Sequence, residues 1–167
     1  QPPPPRLELK DCAMNALTRP DTPQAALEHN AQVLQRARVL LQQTLDFIRE
    51  QARPWSGSGL ARASDDPYVI SRFGDLNIRI DLAAALQERA QRQIEQEPDP
   101  AEVAVALAEA AIAAGQALLA ASDAEFELTG QRSPQPQTLD DPLRWKYQLI
   151  GNYRLNGVPP QGFRSVV

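Results

Sequence analysis

The chain has 167 residues, enough for one domain with a sizeable hydrophobic core. A net charge of −4, a pI near 5.0 and arginines scattered among Glu and Gln argue against a nucleic-acid-binding surface. The single cysteine, Cys12, excludes an internal disulfide and any cysteine-based metal cluster.

Residues 1–22 open with Gln1 and the run Pro2 to Pro5, followed by the alternating Arg6-Leu-Glu-Leu-Lys10. Two readings stand side by side: a disordered Pro-rich leader, or one short strand. There is no basic-then-apolar secretory leader, so the cytoplasm is the expected compartment. A start at Gln rather than Met leads to the expectation of a piece of a longer or trimmed polypeptide.

The bundle is expected over 23–167. Thr22-Pro23 reads as a cap residue followed by proline, which starts a first helix. Leu34, Ala37, Leu41, Leu45 and Ile48 recur at spacings of three and four and predict its buried stripe. The helix stops before Pro54, and Trp55-Ser-Gly-Ser-Gly reads as a flexible connection. A second helix starts at Asp66-Pro67, with Val69, Phe73, Leu76, Ile80, Ala83, Leu86 and Ala90 on one face. Gly74 inside it costs roughly 1 kcal/mol against alanine. Either a close neighbour or plain exposure accounts for it.

The third helix starts at Asp99-Pro100-Ala-Glu102 and closes at Thr129-Gly130. Residues 101–121 are apolar over a length that suits a membrane span, yet Glu102, Glu109 and Gln116 interrupt them and alanine contributes little to insertion. A buried, small-residue helix is the reading, and no membrane is expected. After a loop at Gln131 to Gln137, Asp141-Pro142 starts a short fourth helix with Leu143, Tyr147 and Ile150 on one face. Gly151 is read as its end, and Gly157-Val-Pro-Pro as an extended exit. Short connections between long helices predict an all-α, up-and-down four-helix bundle.

Familiar catalytic arrangements are missing from the sequence. The lone histidine, His29, lies off the apolar stripe, and no motif unites a nucleophile, a base and an orienting acid. Glu102 and Glu109 have no Glu-x-x-His partner for a metal pair, so no metal is expected. Neither common Gly-rich phosphate loop occurs.

Several segments, in order, resemble the flavin-dependent monooxygenases built on the acyl-CoA dehydrogenase fold, a group that includes dibenzothiophene and sulfone monooxygenases. They are Arg53-Pro-Trp, Asp65-Asp-Pro-Tyr-Val, Arg72-Phe-Gly-Asp-Leu, Phe126-Glu-Leu-Thr-Gly, Asp141-Pro-x-x-x-Lys146, Gly151, Leu155-Asn-Gly and Pro159-Pro160. The resemblance spans most of residues 23–165 and implies the C-terminal helical domain of such an enzyme, with 1–22 a remnant of a preceding β-domain or its linker.

The resemblance also implies roles. Arg72, Phe73 and Gly74 match positions that approach the flavin phosphate or its extension across a subunit interface. A guanidinium offers bidentate bonds to phosphate, and a glycine beside it clears space. The plain alternative makes Phe73 core and Arg72 a solvated neighbour. Related enzymes carry two histidines just before the last helix, where this chain has Gln137 and Asp140. Gln137 exchanges no proton, and Asp140 acts as a base only with a pKa raised by burial. Trp145 is packing or a wall of the substrate cavity. Lys146 matches a family lysine and reads equally well as a partner for Asp141.

The expected function is therefore the helical wall of a reduced-FMN-dependent monooxygenase, with FAD the other flavin compatible with the fold. It is served by a separate flavin reductase and contributes to a tetramer interface. N-terminal domains are needed to complete the site, so this chain alone is expected not to turn over. The alternative is a non-catalytic helical scaffold, or a degenerate subunit, that oligomerises or supports a partner chain.

Overall fold

Three helices begin in the same way, because a side-chain oxygen takes an orphan N–H of the first turn while proline occupies the position whose N–H needs no partner. Thr22 Oγ1 accepts from Ala25 N at 3.1 Å, and α1 runs over Pro23–Glu50. Asp66 accepts from Tyr68 N at 2.8 Å, and α2 runs over Pro67–Glu95. Asp99 accepts from Ala101 N at 2.9 Å, and α3 runs over Pro100–Thr129, closed by Gly130 at φ 72°. The computed structural model describes residues 22–96, 99–135 and 142–161. The expectations for residues 1–21 and for the 137–141 segment lie outside that range.

The fourth helix departs from its expected bounds. Helix α4 runs over Leu143–Asn156 with Pro142, not Asp141, at the cap position, and it passes straight through Gly151. Its end is Gly157, whose φ of 67° lies in the left-handed region that a residue with a Cβ adopts only under strain. The connection after α1 is also more ordered than expected. The Ser58 N–H and Ser58 hydroxyl both donate to the Trp55 carbonyl, at 2.9 and 2.7 Å. A 3-10 turn at Ala63–Asp65 follows before α2 starts.

Polar ties between helices fix the topology. Gln87 near the end of α2 donates to the carbonyl of Leu27 near the start of α1, at 2.7 Å. Arg72 at the start of α2 bonds Glu127 at the end of α3, while Arg89 late in α2 bonds Glu109 early in α3. Asn30 reaches from early α1 to the carbonyl of Leu107 early in α3, at 3.1 Å. Gln116 meets Tyr147 and Glu102 meets Tyr153, so α4 runs against α3. The arrangement is up-down-up-down, as the short connections predict, and all described elements are helical.

Helix α3 is the axle of the bundle. It touches α1, α2 and α4, whereas α4 touches α3 alone among the described elements. Among the described residues α3 alone is long and apolar enough to cross a membrane, and 72% of its most apolar window is buried inside the bundle. Alanine sets the spacing: Ala37, Ala83 and Ala117 from three different helices sit together at 1% exposure or less. Around them pack Val33, Leu34, Leu40, Ile80 and Leu118. A second cluster, Leu27, Ala90, Val103, Ala106, Leu107 and Ala110, continues the core towards the other end.

The α1 stripe differs from expectation by one position. Leu34, Ala37 and Ile48 are buried as predicted, but Leu40 and Thr44 take the places expected for Leu41 and Leu45, which are half-buried. Thr44 tolerates burial because its hydroxyl donates to the Leu40 carbonyl at 2.8 Å. Gly74, in contrast, is exposed, and a Cβ built on it meets nothing within 4 Å. Gly74→Ala is therefore expected to stabilise the monomeric chain by roughly 0.5–1 kcal/mol. Urea denaturation at low protein concentration checks this; a loss of stability would mean that something in solution occupies that space.

Candidate functional site

One end of the bundle gathers a network of charged groups around Arg72. There α2 begins, α3 ends, and the chain turns towards the segment that holds Gln137 and Asp140. Arg72 is the centre of the group, with 24% of its side chain exposed. Its Nε donates to Glu127 Oε2 at 3.1 Å and its Nη1 to Asp75 Oδ2 at 3.3 Å. Asp75 also accepts from Arg79 Nε at 2.9 Å, and the Tyr68 hydroxyl donates to the other Glu127 oxygen. Two cations thus face two carboxylates.

The electrostatics follow from these bonds. The Tyr68 hydroxyl bonded to Glu127, helped by Arg72, holds the Glu127 carboxyl below the usual carboxylate range. Asp75 is lowered chiefly by its bond from Arg79. Tyr68 is raised, because its hydroxyl proton is held by the Glu127 carboxylate.

A second set of bonds fixes the chain as it leaves α3. Glu125, a buried carboxylate, accepts from the Ser133 backbone N–H at 2.8 Å and from the Ser133 hydroxyl. Arg132 donates to Ser122 Oγ and Asp123 Oδ1, both at 3.2 Å, and its guanidinium lies 5.1 Å from the Phe126 ring centre. The Thr129 hydroxyl donates to the Glu125 carbonyl at 2.7 Å. Residues 131–133 are therefore held against the last two turns of α3.

The expected cofactor residues do not share one surface. Arg72 reaches across to α3, and Phe73 is half-buried. Gly74 opens on the side of α2 away from its buried face. Trp145 stands 49% exposed on α4, two residues before Tyr147, whose hydroxyl accepts from Gln116. Lys146 is half-buried. Gln137 and Asp140 lie outside the described residues. Among those residues no three His, Cys, Asp or Glu side chains stand close enough to hold a metal ion.

Glu127 is the residue that sequence reasoning missed. It stands in the Phe126-Glu-Leu-Thr-Gly segment, 55 positions from the arginine it holds. The signal was present: two family-like segments, one with a cation and one with an acid, at matching ends of antiparallel helices.

The acyl-CoA dehydrogenase C-terminal domain family matches residues 27–143, well over half of the chain. The chain belongs to this family. It is 30% identical over 152 residues to dibenzothiophene monooxygenase of Mycolicibacterium goodii, covering 77% of this chain and 37% of that enzyme. It is 26% identical over 136 residues to the probable FMNH2-dependent monooxygenase SfnC of Pseudomonas putida, covering 68% of this chain and 34% of that protein. The chain therefore spans little more than a third of the length of these relatives.

Among solved structures, TdsC from Paenibacillus sp. A11-2 with FMN and indole superposes with a TM-score of 0.76 at 23% identity, over 84% of this chain and 41% of TdsC. Methanesulfinate monooxygenase MsuC of Pseudomonas fluorescens gives 0.66 at 24% identity, over 89% and 46%. These superpositions establish the fold: the helical domain of the acyl-CoA dehydrogenase type, shared with flavin-dependent monooxygenases.

Proposed function

We propose that this chain is the helical domain of a reduced-FMN-dependent monooxygenase and forms one wall of a flavin site completed by other polypeptide. The observation that carries this reading is the meeting of Arg72 and Glu127. It joins two segments that resemble the monooxygenases, at the end of the bundle where the chain leads into residues 137–140.

Chemically, the donor set suits a phosphate. A guanidinium carries five N–H donors in a planar fork, and Glu127 and Asp75 hold that fork in one orientation. The same carboxylates are what an arriving phosphate has to displace or share. When bound, reduced FMN supplies the electrons that activate oxygen. This chain's own part is to bind and orient: Arg72 on the phosphate side, and Trp145 at the wall of the cavity. Gln137 offers no proton at the position where relatives place a histidine, which leaves Asp140 as the acid–base candidate of that segment.

The reading extends to partners. A separate reductase supplies the flavin in reduced form, the bundle contributes to a tetramer, and the protein works in the cytoplasm without a membrane. FAD is the alternative flavin. A second reading, a scaffold that supports a partner chain without catalysis, is favoured by Gln137 and by the carboxylates already neutralising Arg72.

Titration separates the two. FMN added to the purified protein, followed by quenching of flavin fluorescence, is expected to saturate. A colourless protein that leaves flavin fluorescence unchanged, alone and joined to the remaining domains, would sink the flavin reading and leave the scaffold.

A further inference from the structure

Helix α4 is attached unlike the other three. Among the described elements it touches α3 alone, and none of its residues is buried. Leu143, Lys146, Ile150 and Tyr153 recur at spacings of three and four and are half-buried. Leu143 lies over Gly115, its Cδ2 3.8 Å from where a Cβ would stand on that glycine. A helix of 14 residues is marginal on its own in water, so α4 keeps its shape by lying on α3. The match to the family also ends at residue 143, where α4 begins.

Polar ties hold both ends of this helix. Near its start the Tyr147 hydroxyl accepts from Gln116 Nε2. Near its end Arg154 donates a two-pronged bond to Glu102, Nη1 to Oε1 at 2.8 Å and Nη2 to Oε2 at 3.0 Å. The Tyr153 hydroxyl donates to the same Oε1 at 3.0 Å. Arg89 of α2, itself bonded to Glu109, faces Glu102 from the other side, and Asp99 at the α3 cap faces Tyr153. Between the two ties runs the side of α3 turned away from the core clusters, with Val105, Ala108 and Ile112 all buried. Leu119, the next position on that side beyond Leu143, is 57% exposed. Helix α4 is therefore what covers the stripe.

We infer that α4 is a strap that opens from the three-helix core as one unit, latched by the Glu102–Arg154 fork, and that opening uncovers Val105, Ala108 and Ile112. A segment that buries little and touches one neighbour opens far more readily than the core unfolds. The latch is ionic and partly exposed, so salt weakens it. Acid weakens it too. The bonds from Arg154 and Tyr153 hold the Glu102 carboxyl below the usual carboxylate range. The latch is thus intact above that range and is lost as pH falls through the depressed value. Because α4 carries Trp145, opening also withdraws the indole that the flavin reading places at the cavity wall. Strap and flavin site are read by different experiments, so each can fail without the other.

Hydrogen exchange of the full chain, followed by mass spectrometry on peptides from α4 and α3, tests the strap. Peptides within 143–156 are expected to exchange together, and about tenfold or more faster than those of 103–121. Glu102→Gln and Arg154→Gln are each expected to speed exchange of α4 about three- to fivefold. Unchanged protection of α3 in the same samples shows that the variants are folded. The double variant is expected to exchange no faster than either single one, because both remove the same fork. In about 1 M salt, where the screening length falls to about 3 Å, α4 of the natural chain is expected to approach the variants. Peptides of α4 as protected as those of α3 overturn the strap. Single variants without effect, or effects that multiply in the double variant, overturn the latch.

Discussion

Leu34→Ala is expected to lower the unfolding free energy by about 2–5 kcal/mol, the usual range for a leucine removed from a closed core. Leu34 is 3% exposed and belongs to the cluster where α1, α2 and α3 meet. That cluster is lined by Ala37, Ala83, Ala113, Ala114, Ala117 and Ala121, whose methyl groups have no length with which to refill a hole. The cavity therefore persists, which places the cost in the upper part of the range. For a chain of this size each kcal/mol moves the melting temperature by about 2–4 °C. The converse change, Ala37→Leu, forces α1 away from its neighbours and is expected to cost about 1–3 kcal/mol. Leu155→Ala, at a residue 84% exposed, stays within about 0.5 kcal/mol. Urea denaturation of the three variants checks the set. Equal midpoints for Leu34→Ala and Leu155→Ala would mean that the three-helix seam is not closed in solution.

The parts of the fold that were legible are those written in local chemistry. Thr22-Pro23, Asp66-Pro67 and Asp99-Pro100 each announce a start, because cap and proline act within one turn. The end of α4 was not legible in the same way. Gly151 and Gly157 look alike in sequence, yet only Gly157 takes a positive φ, and the usable sign was Pro159 two residues beyond it. The α1 stripe was displaced because that helix packs on both α2 and α3, so Leu40 and Leu41 both satisfy the periodicity and tertiary contact chooses between them. Asn30 buried in α1 left no pattern at all, since its partner is a backbone carbonyl 77 positions away.

The candidate site divides along the same line. Arg72 could be marked from the sequence as a cation in a family-like segment, but what holds it could not. Glu127 and Asp75 act through space, and a one-dimensional reading offers Arg72 many carboxylates of equal standing.

Arg72→Ala, in the protein assembled with its flavin, is expected to weaken FMN binding roughly tenfold to a hundredfold. A hydrogen bond to a charged group contributes about 1.5–3 kcal/mol, and about 1.4 kcal/mol is a factor of ten in affinity. Glu127→Gln keeps the shape of the contact while removing a negative charge that competes with phosphate, so FMN is expected to bind more tightly than to the natural chain. The two substitutions act on the same strut but move affinity in opposite directions, which a purely structural role for the pair does not produce. Acid titration adds an independent readout. Because Tyr68 and Arg72 depress the folded-state pKa of Glu127, its stabilising contribution is present above the usual carboxylate range and is lost as pH falls through the depressed value. With Glu127 more than a third exposed, screening limits that contribution to about 0–1 kcal/mol. The urea midpoint of the natural chain should therefore fall more steeply below about pH 4.5 than that of Glu127→Gln. Should both variants weaken FMN equally, or neither change it, Arg72 is a strut between α2 and α3 and not a phosphate ligand.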